Sequence, residues 1–270
     1  MQINIRNIIE SKNQKLSKRI PNFVIKWLER LLEVEKMNYF LKYHSTDSAI
    51  DFAHNAIDYI GAKVEIKNEK NIPKEGRYIV VSNHPLGGID GVALISILGK
   101  YRQDVKFPVN DFLLHLKPMR SVFIPINKVG RNSIEAMKEF NEAFLSDNLI
   151  LYFPAGLCSR KENNILQDLE WKKTIIRKAR ETQRTIIPAY FNGENSEKFY
   201  RIARWRKRLK IKFNIEMLLL PSEMFKQKGK KFMVTFGEPI DYKTFDKSRS
   251  DQEWAQWLKQ QSYSLAQQQQ

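Results

Sequence analysis

Along the middle of the chain, short unbroken apolar runs alternate with stretches whose apolar residues recur every three or four positions. The unbroken runs within Arg77–Val81, Asn148–Phe153 and Thr185–Phe191 have the length and β-branched content of buried strands, and Val105–Val109 looks like a further strand. Ala62–Lys67 instead alternates apolar with charged residues, the pattern of a strand at an exposed sheet edge. Arg120–Lys128 reads as a strand running into a basic turn, and Ile215–Leu220 and Lys231–Phe236 read as late strands. Helical spacing appears after Pro21, where Phe23, Val24, Trp27, Leu28, Leu31 and Leu32 fall on one face. It returns over Ser45–Tyr59 with His44 and His54, then over Gly91–Leu98, Ile134–Leu145, Trp171–Arg180 and Gln252–Leu265. Asp111–Leu116 is a short helical piece, and Asn192–Ser196 is a turn. Residues 1–20 read as loosely held, and the terminal glutamines as a disordered tail. Strands alternating with helices predict an α/β fold. Its central, largely parallel sheet carries flanking helices and is preceded by N-terminal amphipathic helices. The divisions fall at 1–61 (helical segment), 62–245 (α/β domain) and 246–270 (C-terminal helix and tail).

Between the strand ending at Val81 and the helix after Gly91 lies Ser82-Asn83-His84-Pro85-Leu86-Gly87-Gly88-Ile89-Asp90. Extended chain would hold His84 and Asp90 roughly 20 Å apart. A helix would put them on different faces, so only a reversal lets them meet. Pro85, Gly87 and Gly88 are the residues a tight reversal needs. Folded so, the carboxylate holds the imidazole Nδ1–H and frees Nε2 to act as a general base. The same residues also fit a plain N-cap aspartate beside a loop histidine. The turn alone leaves both readings open.

A second strand ends similarly, Asn148–Phe153 running into Pro154-Ala155-Gly156-Leu157-Cys158-Ser159-Arg160. Asn83-His84 with Asp90, followed by Phe153-Pro154-Ala155-Gly156 with Ser159-Arg160, resembles the glycerolipid and lysophospholipid acyltransferase superfamily. The strand at Arg120–Lys128 resembles that family's second motif, which delivers a cation to the headgroup, and the proline-containing strand at Thr185–Phe191 resembles its fourth. Together these span about Ile66 to Ile240.

Two positions depart from the usual pattern. Five residues rather than four separate His84 from Asp90, and Ala155 stands where glutamate is usual. Both departures resemble the hemolysin-like branch that O-acylates monoacyl amino-acid lipids of the ornithine- or glycine-lipid type. The resemblance implies an acyl carrier protein or acyl-CoA donor, a lyso-lipid acceptor and no cofactor. It implies His84 and Asp90 as the catalytic pair. Asn83, Gly87 and Gly88 would shape the loop or the oxyanion site, Gly156 and Ser159 would line the substrate site, and Lys128, Arg131 and Arg160 would meet an acidic group. An ordinary 1-acylglycerol-3-phosphate acyltransferase is the alternative acceptor assignment.

Charge sharpens this picture. The 270 residues hold 46 Lys and Arg against 30 Asp and Glu, a net charge of +16, which calls for an anionic partner. The most basic stretch, Phe199–Phe213, interleaves rings with cations and reads as a membrane-surface segment meeting anionic headgroups. A solvated helix or a single-stranded nucleic-acid site shares those features. A purely binding protein would explain the charge and leave both turns without a purpose, so no nucleic-acid partner is expected. One cysteine, Cys158, excludes an internal disulfide, and four scattered histidines give no metal constellation. A serine or cysteine hydrolase would want a GxSxG elbow, which the chain lacks. No apolar run reaches the length of a membrane span and no signal-peptide core opens the chain. The expected location is cytoplasmic, peripheral on the inner face of the membrane.

Overall fold

A computed structural model describes residues 2–110, 113–126 and 133–269. Five helices come first: α1 (Ile5–Lys12), α2 (Gln14–Arg19), α3 (Asn22–Leu31), α4 (Val34–His44) and α5 (Ala49–Ile60). Strands and helices then alternate as β1 (Lys63–Lys67), β2 (Tyr78–Ser82), α6 (Ile89–Gly99), β3 (Val105–Val109), β4 (Phe123–Pro125), α7 (Ser133–Leu145) and β5 (Leu149–Tyr152). A small hairpin, β6 (Arg160–Glu162) and β7 (Ile165–Gln167), precedes α8 (Thr174–Glu181). The chain closes with β8 (Thr185–Phe191), α9 (Glu197–Arg208), α10 (Leu220–Phe225), β9 (Lys231–Phe236) and α11 (Asp251–Ser264).

Seven strands form one sheet in the order β1-β9-β8-β2-β5-β3-β4. Every pairing is parallel except β8 with β9. Alternation along each strand feeds two cores. Val80, Leu149, Leu151 and Ile187 face one cluster with α5 and α6, while Ile79, Val81, Ile150 and Ile186 face another with α7, α8 and α11. Covered on both faces, the central strands read as the unbroken apolar runs that parallel sheets require. β1 is an edge strand, as its alternation predicts. The mixed α/β architecture, the largely parallel sheet and the flanking helices are all as expected.

Several local expectations are corrected. Of residues 1–20, those described, 2–20, are not loosely held: Asn4 and Asn13 cap α1 and α2, and Arg6 donates to the Ser17 and Ile20 carbonyls. His44 ends α4, whereas His54 sits on α5, because Ser48 caps a new helix between them. Ile215–Leu220 is no strand. It is a 3₁₀ turn, Ile215–Leu219, leading into α10, whose first turn accepts Pro221 because that position needs no N–H. The apolar run there is interrupted by Glu216, which turns inward to an ion pair. The glutamine tail is also ordered through Gln269. Gln269 Nε2 donates to Thr235 Oγ1 at 2.9 Å, and Gln268 Oε1 accepts from Asn68. Of the segment Asp111–Leu116, Leu113–His115 form a 3₁₀ turn, while Asp111 and Phe112 lie outside the described residues.

Candidate active site

β2 and β5 are adjacent and parallel, so the loops leaving their C-terminal ends lie side by side. The reversal after β2 does bring His84 to Asp90, with Nδ1 3.0 Å from Oδ2. Asp90 is completely buried in the first turn of α6. Its Oδ2 also accepts the Leu86 and Gly87 amides at 2.9 and 3.3 Å, and its Oδ1 accepts the Gly91 amide at 2.9 Å. The N-cap reading and the histidine-orienting reading thus describe one carboxylate doing both. Gly87 adopts φ +77°, the left-handed conformation the reversal needs.

The imidazole stacks on Phe153, centroids 4.1 Å apart, which fixes its plane. Among the described residues Nε2 has no hydrogen-bond partner. Burial draws the His84 pKa down. The charge and hydrogen bond of Asp90, joined by the charge of Asp168 and opposed by Arg160, more than offset that, leaving it above the ordinary 6.5. Burial likewise pushes Asp90 up, and His84 with the Leu86 and Gly91 amides brings its carboxyl below 3.8.

The other sequence candidates fall into distinct places. Asn83 is buried and exchanges two bonds with the Phe191 backbone, donating to its carbonyl at 2.9 Å and accepting its amide at 2.7 Å, which ties β2 to β8. Gly88 is exposed, and a Cβ there would meet nothing within 4 Å, so the space beside the turn is open. Gly156 holds φ +69° in the loop after β5, where Lys172 Nζ comes close to it. Ser159 donates its backbone N–H to the His84 carbonyl at 2.7 Å and its hydroxyl to Asp168 at 2.6 Å. Arg160 is buried and bonded to the Cys158 carbonyl and to Glu216 Oε1 at 2.8 Å. Lys128 and Arg131 lie outside the described residues.

Cys158 is fully buried, with burial pushing its thiol up to about 11 against the opposing charge of Arg160. A thiol so protonated is a poor nucleophile. The Ser159 hydroxyl meets a carboxylate rather than a histidine. Neither supports a hydrolase.

Sequence reasoning missed two residues of this region. Asp168 accepts the His84 amide, the Ser159 hydroxyl and Trp171 Nε1, and Glu216 neutralises Arg160. Both come from beyond the loops they serve, and no local pattern marks either one.

Comparison with known proteins identifies the family. The chain is 44% identical over 264 residues to a lyso-glycine lipid O-acyltransferase of Bacteroides thetaiotaomicron, covering 97% of each chain. It is 45% identical over 264 residues to one of Phocaeicola vulgatus, covering 97% of this chain and 95% of that one. The fold is similar to the crystal structure of the 1-acyl-sn-glycerophosphate acyltransferase PlsC of Thermotoga maritima. The TM-score is 0.54 at 17% identity, over 84% of this chain and 80% of the other. With an acyltransferase family model matching residues 7–269, the chain belongs to the acyltransferases.

Proposed function

We propose that this acyltransferase moves a fatty acyl group from a thioester, carried by acyl carrier protein or CoA, to the free hydroxyl of a monoacyl glycine lipid. The observation that carries the reading is the imidazole held between Asp90 and Phe153 with Nε2 facing no protein partner among the described residues. His84 Nε2 takes the hydroxyl proton as that oxygen attacks the thioester carbonyl. The ester C–O bond forms, the C–S bond breaks, and the proton passes from the imidazolium to the departing thiolate. Asp90 holds Nδ1–H throughout and steadies the cation. Of the loop's candidate donors the Gly88 amide is left for the carbonyl oxygen, since the Asn83 side chain is committed to Phe191 and the Gly87 amide to Asp90.

The acceptor assignment rests on the names of the two relatives and on Ala155. That side chain is packed into the apolar cluster beneath the loop, so the headgroup site lacks the carboxylate usual there. Purified protein given one acyl-carrier donor is expected to show a higher kcat/KM for the lyso-glycine lipid than for 1-acylglycerol 3-phosphate. The reverse order would overturn the amino-lipid acceptor and leave acyl transfer standing. Thiol release without any acceptor would favour hydrolysis instead.

Contact with an anionic membrane, peripheral at its inner face, is the second part of the proposal. Trp205 and Phe213 are each 64% exposed at and beyond the end of α9, beside the exposed cations Arg201, Arg208, Lys210 and Lys212. Arg206 is not one of these, because it pairs with the buried Glu216 at 2.8 Å. No helix among the described residues is long and apolar enough to cross a membrane. Replacing the four exposed cations by glutamine should weaken binding to anionic vesicles by up to ~1 kcal/mol each. Unchanged binding at low salt would remove this segment from the membrane contact.

A further inference from the structure

Asp168 follows the β6–β7 hairpin and precedes α8, 84 positions from His84 in sequence. It is 3% exposed, yet its carboxylate is met on both oxygens. Oδ1 accepts the His84 backbone amide at 3.1 Å and the Ser159 hydroxyl at 2.6 Å, and Oδ2 accepts Trp171 Nε1 at 2.8 Å. Its own backbone is anchored to α11, with its N–H donated to the Tyr263 hydroxyl at 2.7 Å and its carbonyl accepting Lys259 Nζ at 2.6 Å. Ser159 in turn donates its amide to the His84 carbonyl. The histidine peptide is therefore gripped on both sides by one carboxylate and the serine it holds.

We propose that Asp168 is a positioning residue for His84, clamping its backbone directly and through Ser159 while setting a second negative charge beside the imidazole that becomes cationic during transfer. This rests on His84 acting as the base. Asp90 fixes where the ring points, and Asp168 fixes where the residue sits. Burial pushes the Asp168 carboxyl above its ordinary range, and three donors from three segments, Ser159, Trp171 and the His84 amide, oppose that by favouring the charged form. This burial falls where a misplacement of about 1 Å is worth roughly 10²-fold in rate. The charged and titratable groups facing the pair are Asp90, Arg160, Lys259, Tyr190 and Tyr263. Of these only Asp90 shares the sign that favours imidazolium, so Asp168 adds to it and Arg160 opposes both.

Asp168→Asn tests this, since it keeps the volume and removes the charge. The expected result is a kcat lower by roughly 10- to 100-fold, with the acceptor KM little changed. The acid limb of kcat should move to lower pH. The His84 imidazole should show the same downward shift by NMR titration without substrate, assigned by comparison with His84→Ala. A folded Asp168→Asn protein with wild-type kcat and an unmoved titration would overturn the proposal. So would one that melts earlier and loses active fraction while the titration stays put, because a merely structural residue behaves that way. If His84→Ala retains turnover, the base reading fails, and the substrate-free titration still reads whether Asp168 acts on His84. Should Asp168→Asn not fold, Ser159→Ala removes half of the clamp and leaves the carboxylate. A several-fold lower kcat at similar KM is then expected, and wild-type kcat would overturn the clamp.

Discussion

The two loops that meet at this site are held in opposite ways. The turn after β2 pairs its own side chains: Asp90 accepts from Leu86, Gly87 and Gly91 and holds His84, all within eight residues, while Asp168, Ser159 and Asn195 anchor its backbone from outside. The loop after β5 is closed by the rest of the chain. Ser159 is held by Asp168 and by the His84 carbonyl, Arg160 by Glu216, and Lys172 donates its amide to the Pro154 carbonyl. A turn whose reacting side chains meet within it needs outside bonds only to anchor its backbone, whereas a cross-braced loop inherits its shape from the packing of several elements. Chemistry should therefore fail first in one and folding in the other.

The largest effect on turnover belongs to the turn after β2. His84→Ala should lower acyl transfer by ~10²–10⁴ with the circular dichroism and melting profile close to wild type, and near-normal turnover would break the assignment. The pH dependence has a definite sign. Because the His84 pKa is raised above 6.5 and the proposed base is the neutral ring, kcat/KM should fall as pH drops through that raised value. Asp90→Asn removes the charge that holds the value up while burial continues to pull it down, so the limb of the residual activity should move to lower pH. A limb that stays in place would assign it to another group.

The same contrast explains how much was legible in the sequence. The His84–Asp90 meeting could be read because Pro85, Gly87 and Gly88 all lie between the partners. The strand Thr185–Phe191 could be read because burial on both faces of the sheet writes itself as an unbroken apolar run. Asp168 and Glu216 could not, since each gains its meaning from a partner more than fifty positions away. Glu216 even misled, because an apolar run around it resembles a strand until its carboxylate is seen to be buried. The hairpin β6–β7 was missed for a related reason: its strands have three residues each and only a short polar turn between them.

Next in size is an effect on folding, in the cross-braced loop. Glu216 is fully buried between Arg160 Nη2 and Arg206 Nε, each 2.8 Å away. Glu216→Ala leaves two guanidinium groups in a low-dielectric site without their counter-charge, which should cost about 3–5 kcal/mol in urea unfolding. A cost under about 1 kcal/mol would mean that water reaches both arginines and that the loop is braced elsewhere.

The smallest effect separates the two loops at one atom each. Gly87 and Gly156 both hold positive φ, at +77° and +69°, so alanine at either position carries the left-handed penalty of roughly 1–2 kcal/mol. Their surroundings differ. A Cβ on Gly87 would lie 2.9 Å from both Leu220 methyls and 3.1 Å from the Cys158 Cβ, in a packed site with little room to yield. A Cβ on Gly156 would come within 2.8 Å of Lys172 Nζ, the end of an exposed lysine side chain rather than packed apolar atoms. Gly87→Ala should therefore add an overpacking cost of about 1–3 kcal/mol to the backbone penalty and displace the Asp90 acceptor site with it. Gly156→Ala should show the backbone penalty and the smaller cost of shifting the Lys172 side chain from where it is held. Paired urea midpoints decide the matter: equal losses would mean that Leu220 and Cys158 move away freely, and the turn after β2 would then depend on its own hydrogen bonds even more fully than its packing indicates.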